Sequence, residues 1–240
     1  MLGDFEQGEA ICERGLRVGL AINHLGSLGP AEAMYGLLFT AKGDGRNAIK
    51  HFQNAIESME EGEIVLVLGI AWTGLGCGYY YLGDLETARK HIEKGLNITI
   101  DAGVQWWLSF HYWYLSRIHF DSGDPKNARS FIEEALKLSQ KNNEKHIEGA
   151  SWIWLGRILG KTDPSQTDKA EECILKGIKI LDEMKIKPWC SEGYLYLGEF
   201  YIDTGQQEKA MENLKKAEGM FREMGMDYWL AKAQEVFRRL

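Results

Sequence analysis

A small residue returns at a nearly fixed interval along this chain: Ala48, Ala88, Ala128, Ala170 and Ala210, spaced 40, 40, 42 and 40. Four positions after each comes a bulky apolar residue (Phe52, Ile92, Ile132, Ile174, Leu214). Three beyond that comes a second small one (Ala55, Gly95, Ala135, Gly177, Ala217). Positions i, i+4 and i+7 share one stripe of an α-helix. The small residues let a neighbouring helix approach closely, and the large one fills the gap. A period this long means one supersecondary unit copied several times, each burying its apolar face against the next.

A second pattern precedes each stripe. It reads Trp72, Leu75, Gly76, Tyr79, then Gly83-Asp84. Its counterparts are Tyr112, Leu115, Ser116, His119, Gly123-Asp124; then Trp152, Leu155, Gly156, Leu159; then Tyr194, Leu197, Gly198, Tyr201, Gly205. The earliest copy is weaker, with Tyr35, Gly36, Phe39 and Gly43-Asp44. Each unit is therefore a helix, a tight turn and a second helix. Glycine leaves the first helix with positive φ, and aspartate caps the second. Asp124-Pro125 adds proline at the first helical position, where its missing N–H costs nothing.

W-x2-L-G-x2-Y followed by a small-residue stripe resembles the tetratricopeptide repeat, in units of about 40 residues against the family's roughly 34. Such long units resemble the extended arrays of large bacterial and archaeal signalling proteins. The resemblance implies an all-α fold, a right-handed α-solenoid of antiparallel helix pairs. It divides the chain into a lone second helix at 1–24, repeats at 25–62, 63–102, 103–143, 144–184 and 185–224, and a capping helix at 225–240. A two-residue insertion around Asp163-Pro164-Ser165-Gln166 belongs in the turn of the fourth unit. Phe221 to Ala233 also resembles the closing segment of multidomain proteins that carry a nucleotide cyclase or ATPase domain upstream.

At the start, Leu2-Gly3-Asp4-Phe5 aligns with Leu82-Gly83-Asp84-Leu85, so Gly8, Cys12 and Gly15 occupy the stripe of a unit whose first helix is missing. We expect an excised piece of a longer protein, whose uncovered face offers a place for a second copy to pair as a homodimer.

Lys and Arg total 28 against 35 acids, a net charge of −7, which argues against a nucleic-acid surface. Ile64–Leu82 is free of charge for 19 residues, long enough for a membrane span, yet it holds four glycines and the whole Trp72-Leu75-Gly76-Tyr79 register. It reads as a buried first helix, and no membrane partner is expected. Four cysteines (Cys12, Cys77, Cys173, Cys190) show no paired spacing, and no leader-like segment appears. A reducing cytoplasm is the expected compartment.

No catalytic constellation emerges. The six histidines form no zinc-binding pair. The glycine run Gly74-Leu75-Gly76-Cys77-Gly78 lies mid-helix in the repeat register, so it is no phosphate loop. The chain is read as a non-enzyme with no cofactor and no metal.

The resemblance places a peptide or partner helix on the concave face lined by the first helices. Ile70, Thr73, Cys77, Tyr80 and Tyr81 would line it in one repeat, and Phe110, Trp113, Arg117 and Phe120 in the next. Ile153, Arg157 and Lys161 follow, and Glu192, Glu199 and Asp203 close the row. Aromatic residues beside arginine are what binding hot spots use. The competing reading is that these rings are core, and Trp113 fits groove or core equally. The lysines and asparagines of the family's chaperone-tail clamp are absent. The expected partner is a protein or peptide segment with an apolar or aromatic side chain and an acid. The alternatives are a self-association element and a regulatory or sensory domain gating an upstream catalytic domain.

Overall fold

The computed structural model describes residues 3–240. Among them the chain is all-α. Its helices are α1 (Phe5–Ala21), α2 (Leu25–Lys42), α3 (Gly45–Glu61), α4 (Val65–Tyr81), α5 (Leu85–Asp101) and α6 (Leu108–Asp121). They continue with α7 (Pro125–Lys141), α8 (Lys145–Thr162), α9 (Thr167–Glu183), α10 (Lys187–Asp203), α11 (Gln207–Met224) and α12 (Asp227–Phe237). A single 3-10 turn, Pro164–Gln166, occupies the inserted segment before α9.

The chain forms two compact units, 4–118 and 119–240, the second taking in Gly3, and their boundary falls inside α6 rather than between repeats. In the first, α2 packs on α3 and α4 on α5, and the first helices α2 and α4 also touch. In the second, α8 packs on α9 and α10 on α11, with α8 against α10 and α10 against α12. Helices that recur one period apart therefore lie side by side within each unit.

The turns are built as their residues dictate. The carboxylates of Asp4, Asp44, Asp84 and Asp124 accept from the backbone N–H three residues on, at 3.0, 3.1, 3.1 and 3.2 Å. Each supplies a partner to an orphan donor of a helix start, worth about 1 kcal/mol. Asp163 caps the inserted turn in the same way, accepting from Ser165 N at 3.0 Å.

The stripes are closed. Ala48, Phe52 and Ala55 have no exposed surface, nor do Ala88 and Ile92, Ala128, Ile132 and Ala135, or Ala210, Leu214 and Ala217. The small residue facing each stripe is a steric requirement. A Cβ on Gly156 would come within 2.6 Å of the Ala170 carbonyl oxygen, which is backbone and cannot yield.

One repeat departs from its siblings. Helix α6 has 14 residues where the other first helices of complete repeats have 17 or 18. Trp107, just before it, has φ of +71°, a left-handed conformation that is costly for a bulky side chain. Its ring sits edge-on to Phe110 at 5.5 Å between centroids.

Helix α4 covers most of the uncharged segment, and eleven of its residues, Ile70, Leu75 and Cys77 among them, are buried. No helix among the described residues is long and apolar enough to cross a membrane.

Candidate functional site: one register position in two settings

The first-helix position of Cys77 recurs as Arg117, Arg157, Glu199 and Arg239, and that of Tyr81 as Asp121, Lys161 and Asp203. Arginine at the same place in consecutive repeats meets two different surroundings.

In the unit 4–118, Arg117 is fully buried in a cage of rings. Its guanidinium carbon lies 5.1, 5.9, 5.0 and 5.1 Å from the ring centroids of Tyr80, Tyr81, Trp113 and Tyr114. Ring faces carry negative potential, so a desolvated guanidinium among them gains about 2 kcal/mol or more. The rings also meet one another, Trp113 edge-on to Tyr114 at 4.8 Å and Phe110 to Tyr114 at 5.1 Å. Burial pushes the Tyr114 phenol well above its usual range. It also pushes up the Cys77 thiol, against the opposing pull of Arg117. Both groups stay neutral near pH 7.

Next to the cage, His111 is held between two threonines. Its Nδ1 lies 2.5 Å from Thr73 Oγ1 and its Nε2 3.0 Å from Thr99 Oγ1. Thr99 gives its own proton to the Gly95 carbonyl at 2.9 Å. It must therefore accept from His111 Nε2–H, which leaves Nδ1 to accept from Thr73. Both ring nitrogens are satisfied in the neutral imidazole, and burial, which penalises the cation, lowers the pKa to about 3.

In the unit 119–240, Arg157 is half-buried. Its guanidinium carbon lies 5.0, 4.7 and 4.4 Å from the rings of Phe120, Trp154 and Tyr196. It also reaches carboxylates on both sides, Asp121 at 3.6 Å and Glu199 at 3.4 Å. Lys161 bridges Glu199 at 3.0 Å and Asp203 at 2.6 Å. Arg239, just beyond α12, meets the same two acids at 3.0 and 2.5 Å. Charge thus alternates across α6, α8, α10 and the end of α12. Burial pushes the Glu199 carboxyl up, but Arg157, Lys161 and Arg239 outweigh it and hold it below the usual range. Arg157, Lys161, Glu199 and Asp203 rim a small pocket backed by Gly160, Tyr196 and Phe200.

Against the expected groove, the outcome divides. Ile70, Thr73, Cys77, Tyr80, Tyr81, Phe110, Trp113, Arg117 and Ile153 are all buried, with Trp113 only 1% exposed. Trp113 is core in this structure, and Arg117 is enclosed rather than held out for a partner's acid. Phe120 and Arg157 are half-buried, and Lys161 reaches solvent. Of the acids closing the row, Glu192 and Glu199 are buried, and Glu199 and Asp203 carry the ion pairs. The sequence places Arg239 only as a cation at the end of the last helix, where it suits the helix dipole, and gives neither its link to this row nor the part played by His111. The repeat register held a signal for the first: Arg157, Glu199 and Arg239 are separated by one repeat each. Among the described residues, no cluster of His, Cys, Asp or Glu is placed to hold a metal ion.

This architecture defines an all-α helical repeat protein. Two segments, 112–142 and 191–223, match the tetratricopeptide repeat family. It is 32% identical over 80 residues to Protein NCA1 of Arabidopsis thaliana, a match covering 31% of this chain and 20% of that relative. The match thus spans a fifth of the relative's length. Among solved structures, BtubC from P. vanneervenii superposes with a TM-score of 0.63 at 19% identity, over 92% of each chain. The Rap conjugation gene regulator of plasmid pLS20, in complex with the Phr* peptide, superposes with a TM-score of 0.60 at 15% identity, over 88% of this chain and 62% of that one.

Proposed function

We propose that this chain is a protein-interaction scaffold that holds a peptide or partner helix against its first helices, at the row formed by Phe120, Arg157, Lys161, Glu199 and Asp203. The observation that carries the reading is the setting of Arg157: a half-buried guanidinium among three rings, at the edge of a charged pocket that reaches solvent. Aromatic side chains and arginine at the margin of a pocket suit hot-spot recognition, where one truncation costs about 2 kcal/mol or more. The similarity to a Rap protein solved with a peptide supports the same class of ligand.

The charges define how a partner engages. Arg157 and Lys161 already meet the chain's own acids, so a partner's carboxylate enters by exchanging with Glu199 or Asp203, while its apolar side chain lies on Phe120. Such an exchange is salt-sensitive.

A photo-crosslinking residue at position 120, with one at the outward position 175 as control, tests the reading in lysate of the source organism. A partner captured from 120 and absent from 175 supports it. The same species from both positions, or none from 120, refutes it.

A further inference from the structure

One edge of the unit 4–118 departs from its siblings in the other repeats. The first residue of a first helix is Lys145 in α8, Lys187 in α10 and Asp227 in α12, but Val65 in α4. The last residue but one of a second helix is Glu60 in α3, Gln140 in α7 and Asp182 in α9, but Ile100 in α5. Those siblings are exposed polar groups, whereas Val65 and Ile100 are apolar and each 50% exposed. Leu66, next along α4, and Trp106, in the turn before α6, are 64% and 43% exposed.

These four side chains belong to one edge. Helix α4 starts against the end of α5, where a Cβ on Gly69 would come within 2.6 Å of the Gly95 carbonyl oxygen. The turn after α5 is tied to it by Val104 N–H, which donates to the Thr99 carbonyl at 3.0 Å. That turn leads through Trp106 to α6, whose His111 bonds Thr99.

The rim of this edge is acidic. Glu60 and Glu61 stand in the last turn of α3, Glu63 in the turn to α4, and Asp101 ends α5; all four are exposed. A helix C-terminus carries partial negative charge on its unpaired carbonyls, so acids are unfavourable there and cations favourable. Helices α7 and α11 have a cation in that turn, Lys141 and Arg222, whereas α3 and α5 have none. No lysine or arginine occurs between Lys50 and Arg89. Lys94 stands two turns short of Asp101, 3.3 Å from the ring centroid of Trp72.

We propose that this edge docks a basic amphipathic segment of a partner protein. Its apolar side chains lie on Val65, Leu66, Ile100 and Trp106, and its lysines or arginines lie over the ends of α3 and α5. Apolar contact supplies the affinity, and the cations fix the orientation. A second copy of this chain does not fit, because a symmetric pairing through the edge sets like acids against each other. An anionic lipid surface is repelled for the same reason. The edge belongs to the unit 4–118 and the row around Arg157 to the unit 119–240, so the two readings fail separately.

The probe is a fluorescein-labelled leucine–lysine peptide, LKKLLKLLKKLLKL, titrated with the full chain and read by anisotropy. We expect saturable binding. Val65→Lys combined with Ile100→Gln installs residues that sibling helices carry, and weakens binding at least about tenfold. Leu175→Lys makes the same charge change on the outward face of α9, and alters binding less than about twofold. Glu61→Lys combined with Asp101→Lys suits both helix ends, so the melting temperature holds or rises while binding falls at least about fivefold. The charge-reversed peptide LEELLELLEELLEL does not bind. Four results overturn the proposal: no saturable binding; binding indifferent to both edge variants; Leu175→Lys weakening it as much as they do, which would be bulk attraction to an acidic chain; or a sedimenting dimer of the wild-type chain that Val65→Lys with Ile100→Gln dissolves, which would make a second copy the occupant.

Discussion

Arg117 and Arg157 occupy the same place in consecutive repeats, yet one is sealed among Tyr80, Tyr81, Trp113 and Tyr114 and the other is open at its edge. The difference lies in what surrounds each guanidinium within its own unit. One repeat beyond Arg157 stands Glu199, a carboxylate that reaches back to it at 3.4 Å. Around Arg117 stand four rings whose quadrupoles favour a cation. A recurring slot in a repeat does not fix a residue's role. The side chains packed around it do.

This contrast can be broken by substitution. Trp113→Ala removes a wall of the cage and a nearly inaccessible side chain, so it should cost about 3–5 kcal/mol by denaturant unfolding. A loss below about 1 kcal/mol would mean the cage is not closed in solution.

The imidazole beside the cage gives a second handle. His111 has a folded-state pKa of about 3 against an ordinary 6.5, so the unfolded chain binds the extra proton between those values. Stability from keeping it neutral is complete above pH 6.5 and drains away as pH falls towards 3, on the order of a few kcal/mol in total. His111→Gln should flatten the dependence of melting temperature on pH between about 4.5 and 6.5, inside the window from about 3 to 6.5 over which the two states differ in protonation. An unaltered slope would assign that slope to other groups.

Arg157→Ala removes ring contacts and two ion pairs from a half-buried site, for an expected loss of about 1–3 kcal/mol. Should it cost as much as Trp113→Ala, the two settings are energetically one. Lys161→Ala is the mildest. Its pairs are partly exposed, so it should change stability by no more than about 1 kcal/mol, less at high salt. A larger, salt-independent loss would place Lys161 in a buried network.

The period, the stripes and the Gly-Asp turns were legible because they depend on local chemistry: a cap, a positive φ, a close approach. The ion-pair row was half legible. Its members fall at two register positions one turn apart, but only the structure shows Arg157, Lys161 and Arg239 converging on Glu199. The closure of Arg117 was not legible. The four rings come from two stretches of chain, Tyr80-Tyr81 and Trp113-Tyr114, and a cation on a first helix reads as surface until its partners are seen to be aromatic. Nor did the shortened α6 announce itself, because Gln105-Trp106-Trp107 continues the repeat pattern in sequence while Trp107 adopts a left-handed backbone.

The account's central claim is that partners are held at the open arginine and not at the closed one. The direct test is the affinity of the crosslinked partner for wild-type chain and for Phe120→Ala combined with Lys161→Glu, measured by calorimetry at low and high salt. The account predicts at least about a tenfold weakening in the variant, with helical signal and melting temperature retained, and weaker wild-type binding as salt rises. Equal affinity for both chains would contradict it.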